Sequence, residues 1–318
     1  LQLNALKIYK NLIRFHLKDA SPYALADVNI ERLKFVNQHA TFKNNKTLFL
    51  NALKAESKNH KDHEVSGLYD FEIASIYYQQ SAQYNARTND KNRWKAKEAI
   101  EICNNVISKF PKSNGAEKCT VLKSQIKAST LQITAEAFLP IQKPSRILVS
   151  YKNLDFIAFE AFKLSENQFE KFKKTYRQDE QWAFIQKLDA SETWNNTLKN
   201  EGDFQRHSTE ILVPKLNNGR YLIVATTKEN KENNFAFAHV QVTDLALVER
   251  ETPQHKIFQI INRNNGKPVA NANVTMSYST RGSSTEQIKD YRSNALGEIK
   301  VEKNNSWYRN VNLKVKNG

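Results

Sequence analysis

Near residue 131 the spacing of apolar residues changes from steps of three and four to strict alternation, and this switch divides the chain into a helical part and a β part. Before it, Leu3, Leu6, Ile8, Leu12, Ile13, Phe15 and Leu17 predict one amphipathic helix. Leu25, Val28, Ile30, Leu33 and Val36 predict a second, and Leu48, Phe49, Ala52 and Leu53 a third, with Pro22 and Gly67 as punctuation. After the switch, residues 146–151, 156–162, 182–185, 210–213, 219–227 and 235–242 read as strands separated by turn residues. Short strands at that spacing suit an antiparallel sandwich of roughly 110 residues. The expected fold is therefore multidomain, α then β: a helical, repeat-like domain over 1–135, a β-sandwich over 136–244 and a second over 245–318.

Within the helical part, 67–126 is the clearest unit. Leu68, Phe71, Ala74, Ile76, Tyr77 and Tyr78 predict a helix reaching about Tyr84, and a polar break covers Asn85 to Asn92. Ala96, Ala99, Ile100, Cys103, Val106 and Ile107 predict the next helix, stopped at Phe110-Pro111, and a third runs from Ala116 to about Ala128. Small residues at Ala74 and Ala99 let the first two approach closely. The second helix and the Phe-Pro-x-Ser turn resemble a tetratricopeptide repeat, with a longer loop between helices than that family uses; a plain helical bundle is the other reading. One repeat cannot bury its own face, so earlier segments must supply neighbours. Tyr77, Tyr78, Tyr84 and Trp94 either pack between helices or line a peptide groove, and Tyr84 is the candidate for a surface role.

Two turn signals organise the last β region. Asn265-Gly266, followed by Pro268, predicts a type I′ hairpin joining strands 256–262 and 274–278. Ser293 to Gly297 predicts a polar turn feeding an alternating strand to Val301, and Ser165 to Gln168 has the form of a capping box that opens a short helix through Phe169, Phe172 and Tyr176. Residues 245–318 fall short of the ~100 a sandwich of this type uses, so this domain is expected to be incomplete.

The composition narrows the partners. Net charge is +15, yet 21 basic and 12 acidic residues precede position 130 and 27 and 21 follow it, so the excess is spread rather than concentrated in a nucleic-acid-binding stripe. Arg93 to Lys97 and Lys171 to Lys174 read as solvated helix faces, and no nucleic-acid partner is expected. No apolar run has membrane-spanning length. His60 and His63, with Asp62 and Glu64, lack the order His-Glu-x-x-His and read as an exposed loop; His239 reads as an ordinary sheet residue, and His16, His39, His207 and His255 are isolated. There is no Gly-x-Ser-x-Gly elbow, no phosphate-cradling glycine pattern and no Cys-x-x-Cys, and Asp179-Glu180 reads as solvated surface between elements. Cys103 and Cys119 either form a disulfide or are two buried thiols. No catalytic residue, metal ligand or cofactor is assigned.

Three segments carry a resemblance. Pro140 to Leu154 with Phe156 to Leu164, then Val213 to Val224 with its Gly-x-Tyr strand, then the join Val242 to Leu245 leading into a Gly-Lys-Pro-Val-x-x-Ala-x-Val segment at Gly266 to Val274, occur in an order that resembles bacterial alpha-2-macroglobulin-like proteins, especially those of Bacteroidetes with a helical N-terminal region. The resemblance covers roughly 136–318. It implies a non-enzymatic scaffold portion of a protease-trapping inhibitor of the cell envelope, periplasmic or surface-exposed, with proteases as partners of the whole protein, any membrane anchor outside this chain, and a helical region that docks a partner. The first residues, which read as helix with no initiator Met, are separately expected to lie inside a longer product. The family's thioester motif Cys-x-x-Gln is absent: Cys103 is followed by Asn104-Asn105-Val106 and Cys119 by Thr120-Val121-Leu122. The alternative reading is a surface adhesion or assembly protein that uses the sandwiches as spacers.

Overall fold

The computed structural model describes residues 2–228, 234–280, 285–303 and 308–316. Six helices come first: α1 (Gln2–His16), α2 (Tyr23–His39), α3 (Asn45–Asn59), α4 (Ser66–Ser81), α5 (Lys95–Lys109) and α6 (Asn114–Lys127). Strands follow, mainly antiparallel, so the chain is a helical region followed by β-sheet domains. Two compact units emerge: one is 1–131 with 150–157 and 197–208, the other 132–149, 158–196 and 209–318.

In the helical unit each helix packs on the next, and α4 also touches α2 and α6. Ala26, Ile30, Leu53, Val65, Leu68, Tyr69 and Ile73 form one core; Ala74, Ala96, Ala99, Cys103, Val106, Ala116, Cys119, Leu122 and Ile126 contribute to another. Ala74 and Ala99 are fully buried, as close helix approach requires. Gly67 does more than punctuate. It lies within α4 against Gly115 of α6, where an added Cβ would stand 2.6 Å from the Gly67 carbonyl carbon, so the two backbones touch. Pro111 ends α5, and Ser113 caps α6 by accepting the Ala116 amide at 3.1 Å while donating to the Phe110 carbonyl at 2.8 Å. The first apolar series does form a helix, but α1 buries none of its residues, and Phe15 is 73% exposed.

The first β region comprises β1 (Thr130–Ala135), β2 (Phe138–Leu139), β3 (Ser145–Lys152), β4 (Phe156–Leu164), β5 (Glu192–Thr197), β6 (His207–Val213), β7 (Gly219–Thr226) and β8 (Phe235–Val242), with α7 (Glu166–Lys173) and α8 (Gln178–Ile185) between β4 and β5. The sheet orders are β1-β3-β6 and β2-β8-β7-β4-β5, with β2 and β8 parallel. The capping box at Ser165 is complete, each residue bonding the other's backbone amide. The segment Trp182–Ile185 is helix α8 rather than a strand: Asp179 and Glu180 occupy its first turn, where acidic side chains suit the helix dipole. This also places Asp179 and Glu180 within an element and not between elements. Tyr176 lies beyond α7 and is 85% exposed, so the amphipathic face ends at Phe172.

The two helices explain why β7 is not an alternating strand. Phe162, Leu164, Leu222 and Val224 pack with Phe172 and Ile185 of the helices, while Tyr221, Ile223 and Ala225 point to the opposite face of the pleat and are buried as well.

The second β region has β9 (Leu245–Glu251), β10 (His255–Asn262), β11 (Asn273–Thr280), β12 (Gln287–Arg292), β13 (Glu298–Glu302) and β14 (Tyr308–Lys316), in sheets β13-β10-β9 and β12-β11-β14. Phe258, Ile260, Val274, Met276, Ile299 and Val301 fill the space between them. Here the hairpin reading fails in an instructive way. The chain does reverse at Asn265-Gly266, with Gly266 donating to the Asn262 carbonyl at 2.8 Å and the Asn262 amide donating to Lys267 at 2.8 Å. However, only Gly266 has positive φ (68°), so the turn is not type I′, and after the bridge Ile261–Pro268 the chain leaves its partner. β11 pairs with β12 and β14 in the other sheet. The turn at 293–297 makes the return crossing, from β12 to β13.

These two crossings are pinned to each other. The Ser293 hydroxyl donates to the Val269 carbonyl at 2.7 Å and accepts the Ala272 amide at 2.9 Å. Gly297, at φ 71°, lies so close that a Cβ would meet the Ile260 carbonyl oxygen at 2.4 Å.

Candidate functional site

The polar break before α5 folds as a compact turn. Asn85 and Asn89 exchange backbone hydrogen bonds at 3.0 and 2.9 Å, the Asn85 side chain accepts the Arg87 amide at 2.9 Å, and Asn92 adopts φ 68°. Asparagine tolerates this left-handed conformation better than most residues. The result presents Arg93 and Trp94 at the start of α5.

Arg93 is not a solvated member of a basic helix face. Its Nε donates to Asp203 Oδ2 at 2.9 Å and its Nη2 pairs with Glu201, which Lys199 also holds at 2.8 Å. Asp203 is buried and is held by three contributions: the Gln205 amide at 3.1 Å and His207 Nε2 at 2.9 Å on Oδ1, and the Arg93 guanidinium on the other oxygen. The Gln205 side chain returns a bond to the Arg93 carbonyl at 2.9 Å. Burial alone pushes the Asp203 pKa up, but His207, the Gln205 amide and Arg93 together outweigh it and hold the carboxyl below its ordinary range. The same bonds, to Asp203 first and Glu201 second, push the Arg93 pKa up. Backbone strain accompanies this knot at Phe204, left-handed at φ 58° and packed against the α4–α6 core, while Gly202 takes φ 69° as glycine readily does.

Tyr84 belongs to this cluster. Its ring lies 5.9 Å from the Arg93 guanidinium and the Trp94 ring lies 5.1 Å from it, so the cation sits beside two aromatic rings. Trp94 is 45% exposed, whereas Tyr77 and Tyr78 pack against the helical core. Chemically, the arrangement is a tie. His207 contributes to that tie through Nε2, and its ring lies 6.0 Å from Tyr151, whose hydroxyl donates to the Lys199 carbonyl at 3.0 Å.

The remaining candidates have local explanations. His63 Nδ1 accepts the Val65 amide at 3.1 Å, His60 stacks on Tyr69, and Glu64 engages Tyr23, whose phenol is pushed up to about 12 by burial and by that bond. Among the described residues no group of three or more His, Cys, Asp or Glu is placed to hold a metal ion. His239 lies in β8 against Phe169, Phe172 and Phe237, and burial, then Lys173, lowers its pKa. Cys103 and Cys119 are free, fully buried neighbours; their shared hydrogen bond, then burial, pushes Cys119 well above the usual thiol value. No described helix is long and apolar enough to cross a membrane.

Sequence reasoning missed the Arg93–Asp203 tie because its partners stand 110 residues apart. The one local hint was Gly202 beside a carboxylate in an otherwise polar stretch.

No protein-family model and no curated protein matches the chain. Among solved structures, the chain is similar to native alpha-2-macroglobulin from Escherichia coli spanning domains MG0-NIE-MG1, at 16% identity and TM-score 0.40, covering 58% of this chain and 63% of that one. It is also similar to the NIE-MG1 portion of the same protein, at 12% identity and TM-score 0.38, covering 59% of this chain and 97% of that one. Salmonella alpha-2-macroglobulin reacted with methylamine matches at 10% identity and TM-score 0.22, covering 54% of this chain and 14% of that one. Likeness at this level transfers no residue role.

Proposed function

We propose that the chain is the scaffold portion of a bacterial macroglobulin-like protease-trapping inhibitor of the cell envelope, of the kind found in Bacteroidetes. In this reading 1–135 is a tetratricopeptide-like docking module, and 136–244 and 245–318 are successive macroglobulin-like sandwiches. The observation that carries it is the order of modules: six helices, a β region of two sheets, then a second pair of sheets whose crossing is built from the Gly266–Val274 segment. The helical unit is assigned the docking role, with Tyr84 and the exposed Trp94, which flank the paired Arg93, as one contact. No residue of the chain is given a catalytic role; proteases are partners of the whole protein.

The test is inhibition by the full gene product. Mixed with an endoprotease, it is expected to suppress cleavage of a large protein substrate while leaving hydrolysis of a small peptide substrate in place. Equal suppression of both, or of neither, sinks the proposal.

A further inference from the structure

Between α3, α4 and α5 lies a cavity of about 320 Å³. Its floor is apolar: Ile73 and Val106 are 5% and 3% exposed, with Tyr77 and Phe110 beside them. Its rim is cationic, formed by Lys54, Lys58 and Lys61 along α3 and the turn after it, and by Lys109 in the last turn of α5. All four lysines are exposed, and among the described residues none is ion-paired, although Lys34 and Lys95 of the same unit each find a glutamate. The single carboxylate in the lining, Asp70, is engaged by the Ser57 hydroxyl at 2.6 Å. Four cations thus face one occupied anion; Lys109 also donates to the Lys61 carbonyl, and Lys54 and Lys109 lie 5.5 and 5.2 Å from the Tyr77 and Phe110 rings. Lys54 and Lys58 are also one helical turn apart, a like-charge pairing that costs an isolated helix a few tenths of a kcal/mol (about 0.2–0.5). An anionic ligand would relieve that repulsion.

We propose that this cavity binds an acidic peptide segment, with one apolar side chain against the floor and flanking Asp or Glu side chains against the lysines. The inference rests on the helical region being a docking module and names the chemistry of what it docks. The apolar floor decides against a bare phosphate or a nucleic-acid backbone, which would leave it unfilled, and the rim supplies point charges rather than the forked guanidinium or clustered backbone amides that suit phosphate. A volume of about 320 Å³ is at the small end of ligand pockets, room for one large side chain and its flanks.

The experiment uses the 318-residue chain and a fluorescein-labelled nine-residue peptide of Asp and Glu with a central Leu, followed by fluorescence anisotropy. Saturable binding is expected, weakened at least about tenfold by Lys58→Glu with Lys61→Glu, and by replacing the central Leu with Ser. Because both lysines are exposed, the double variant should keep the wild-type thermal midpoint, which separates lost binding from lost folding. Displacement of the peptide by millimolar inorganic phosphate would mark a general anion site and overturn the proposal, as would unchanged binding by the double variant or no binding by the wild type. If binding instead falls with Trp94→Ser, the docking reading survives and this cavity is excluded as its site.

Discussion

The helical unit and the second sandwich solve the same problem with opposite chemistry. Each brings backbones within van der Waals contact at a glycine, and each also carries a buried polar tie. In the helical unit the contact is Gly67 against Gly115, with the Ser113 hydroxyl beside it, and a separate charged, long-range tie joins Arg93 to Asp203. In the sandwich the contact is Gly297 beneath Ile260, and the tie is neutral and short-range, the Ser293 hydroxyl bridging Val269 and Ala272. A neutral bridge keeps its strength across pH, whereas a carboxylate bridge is switched off by protonation. The Arg93–Asp203 tie is thus sensitive to acid, whereas the Ser293 bridge is not, although Glu298, beside Gly297, brings its own carboxylate pair with Arg250 to the second β region.

Breaking the backbone contacts should have the largest effects. Gly297→Ala adds both a clash with the Ile260 carbonyl and a left-handed φ to an ordinary residue, and should destabilise the sandwich by about 3–4 kcal/mol. Gly266→Ala carries only the φ penalty, since nothing lies within 4 Å of its Cβ, and should cost about 1 kcal/mol. Hydrogen exchange on β10 and β13 compares the two variants, with the helices as internal reference; equal costs would show that crowding at Gly297 is relieved by relaxation. Gly115→Ala should cost the helical unit about 2–3 kcal/mol and leave exchange in the sandwich unchanged.

Next in size is the charged tie. Asp203→Asn should destabilise the helical unit by about 2 kcal/mol at pH 7. The folded-state pKa of Asp203 is depressed, so the stability it adds is fully present above the ordinary aspartate value of about 3.9 and is lost as pH falls through the lower folded value. The gap between wild type and Asp203→Asn in denaturant melts should therefore hold from pH 7 to pH 5 and close toward pH 2. A gap that persists in acid would assign the effect to packing. The smallest effect is chemical: Cys103 and Cys119 should resist an aromatic disulfide reagent in the native chain and yield two thiols after unfolding. A yield of none after unfolding would show a disulfide instead.

What the sequence made legible was whatever a few neighbouring residues decide. The Ser165–Gln168 box, the Pro111 stop and the burial of Ala74 and Ala99 follow from local sterics and spacing. Residues 182–185 did not, because four apolar residues fit a strand or a buried helix turn equally, and the acidic first turn at Asp179-Glu180 was the overlooked clue. At Asn265-Gly266 the turn was legible and the partner was not: which sheet receives β11 depends on Ser293 and Gly297, some thirty residues downstream. The Arg93–Asp203 tie is further still beyond local reading, since nothing near Arg93 announces a buried carboxylate.

The central claim, a scaffold within a protease trap, is tested most directly by shape. Small-angle scattering of the full gene product, before and after a single endoproteolytic cleavage, should show a decrease in radius of gyration with the protease retained in the same particle. An unchanged radius, with the protease eluting free, would contradict the account.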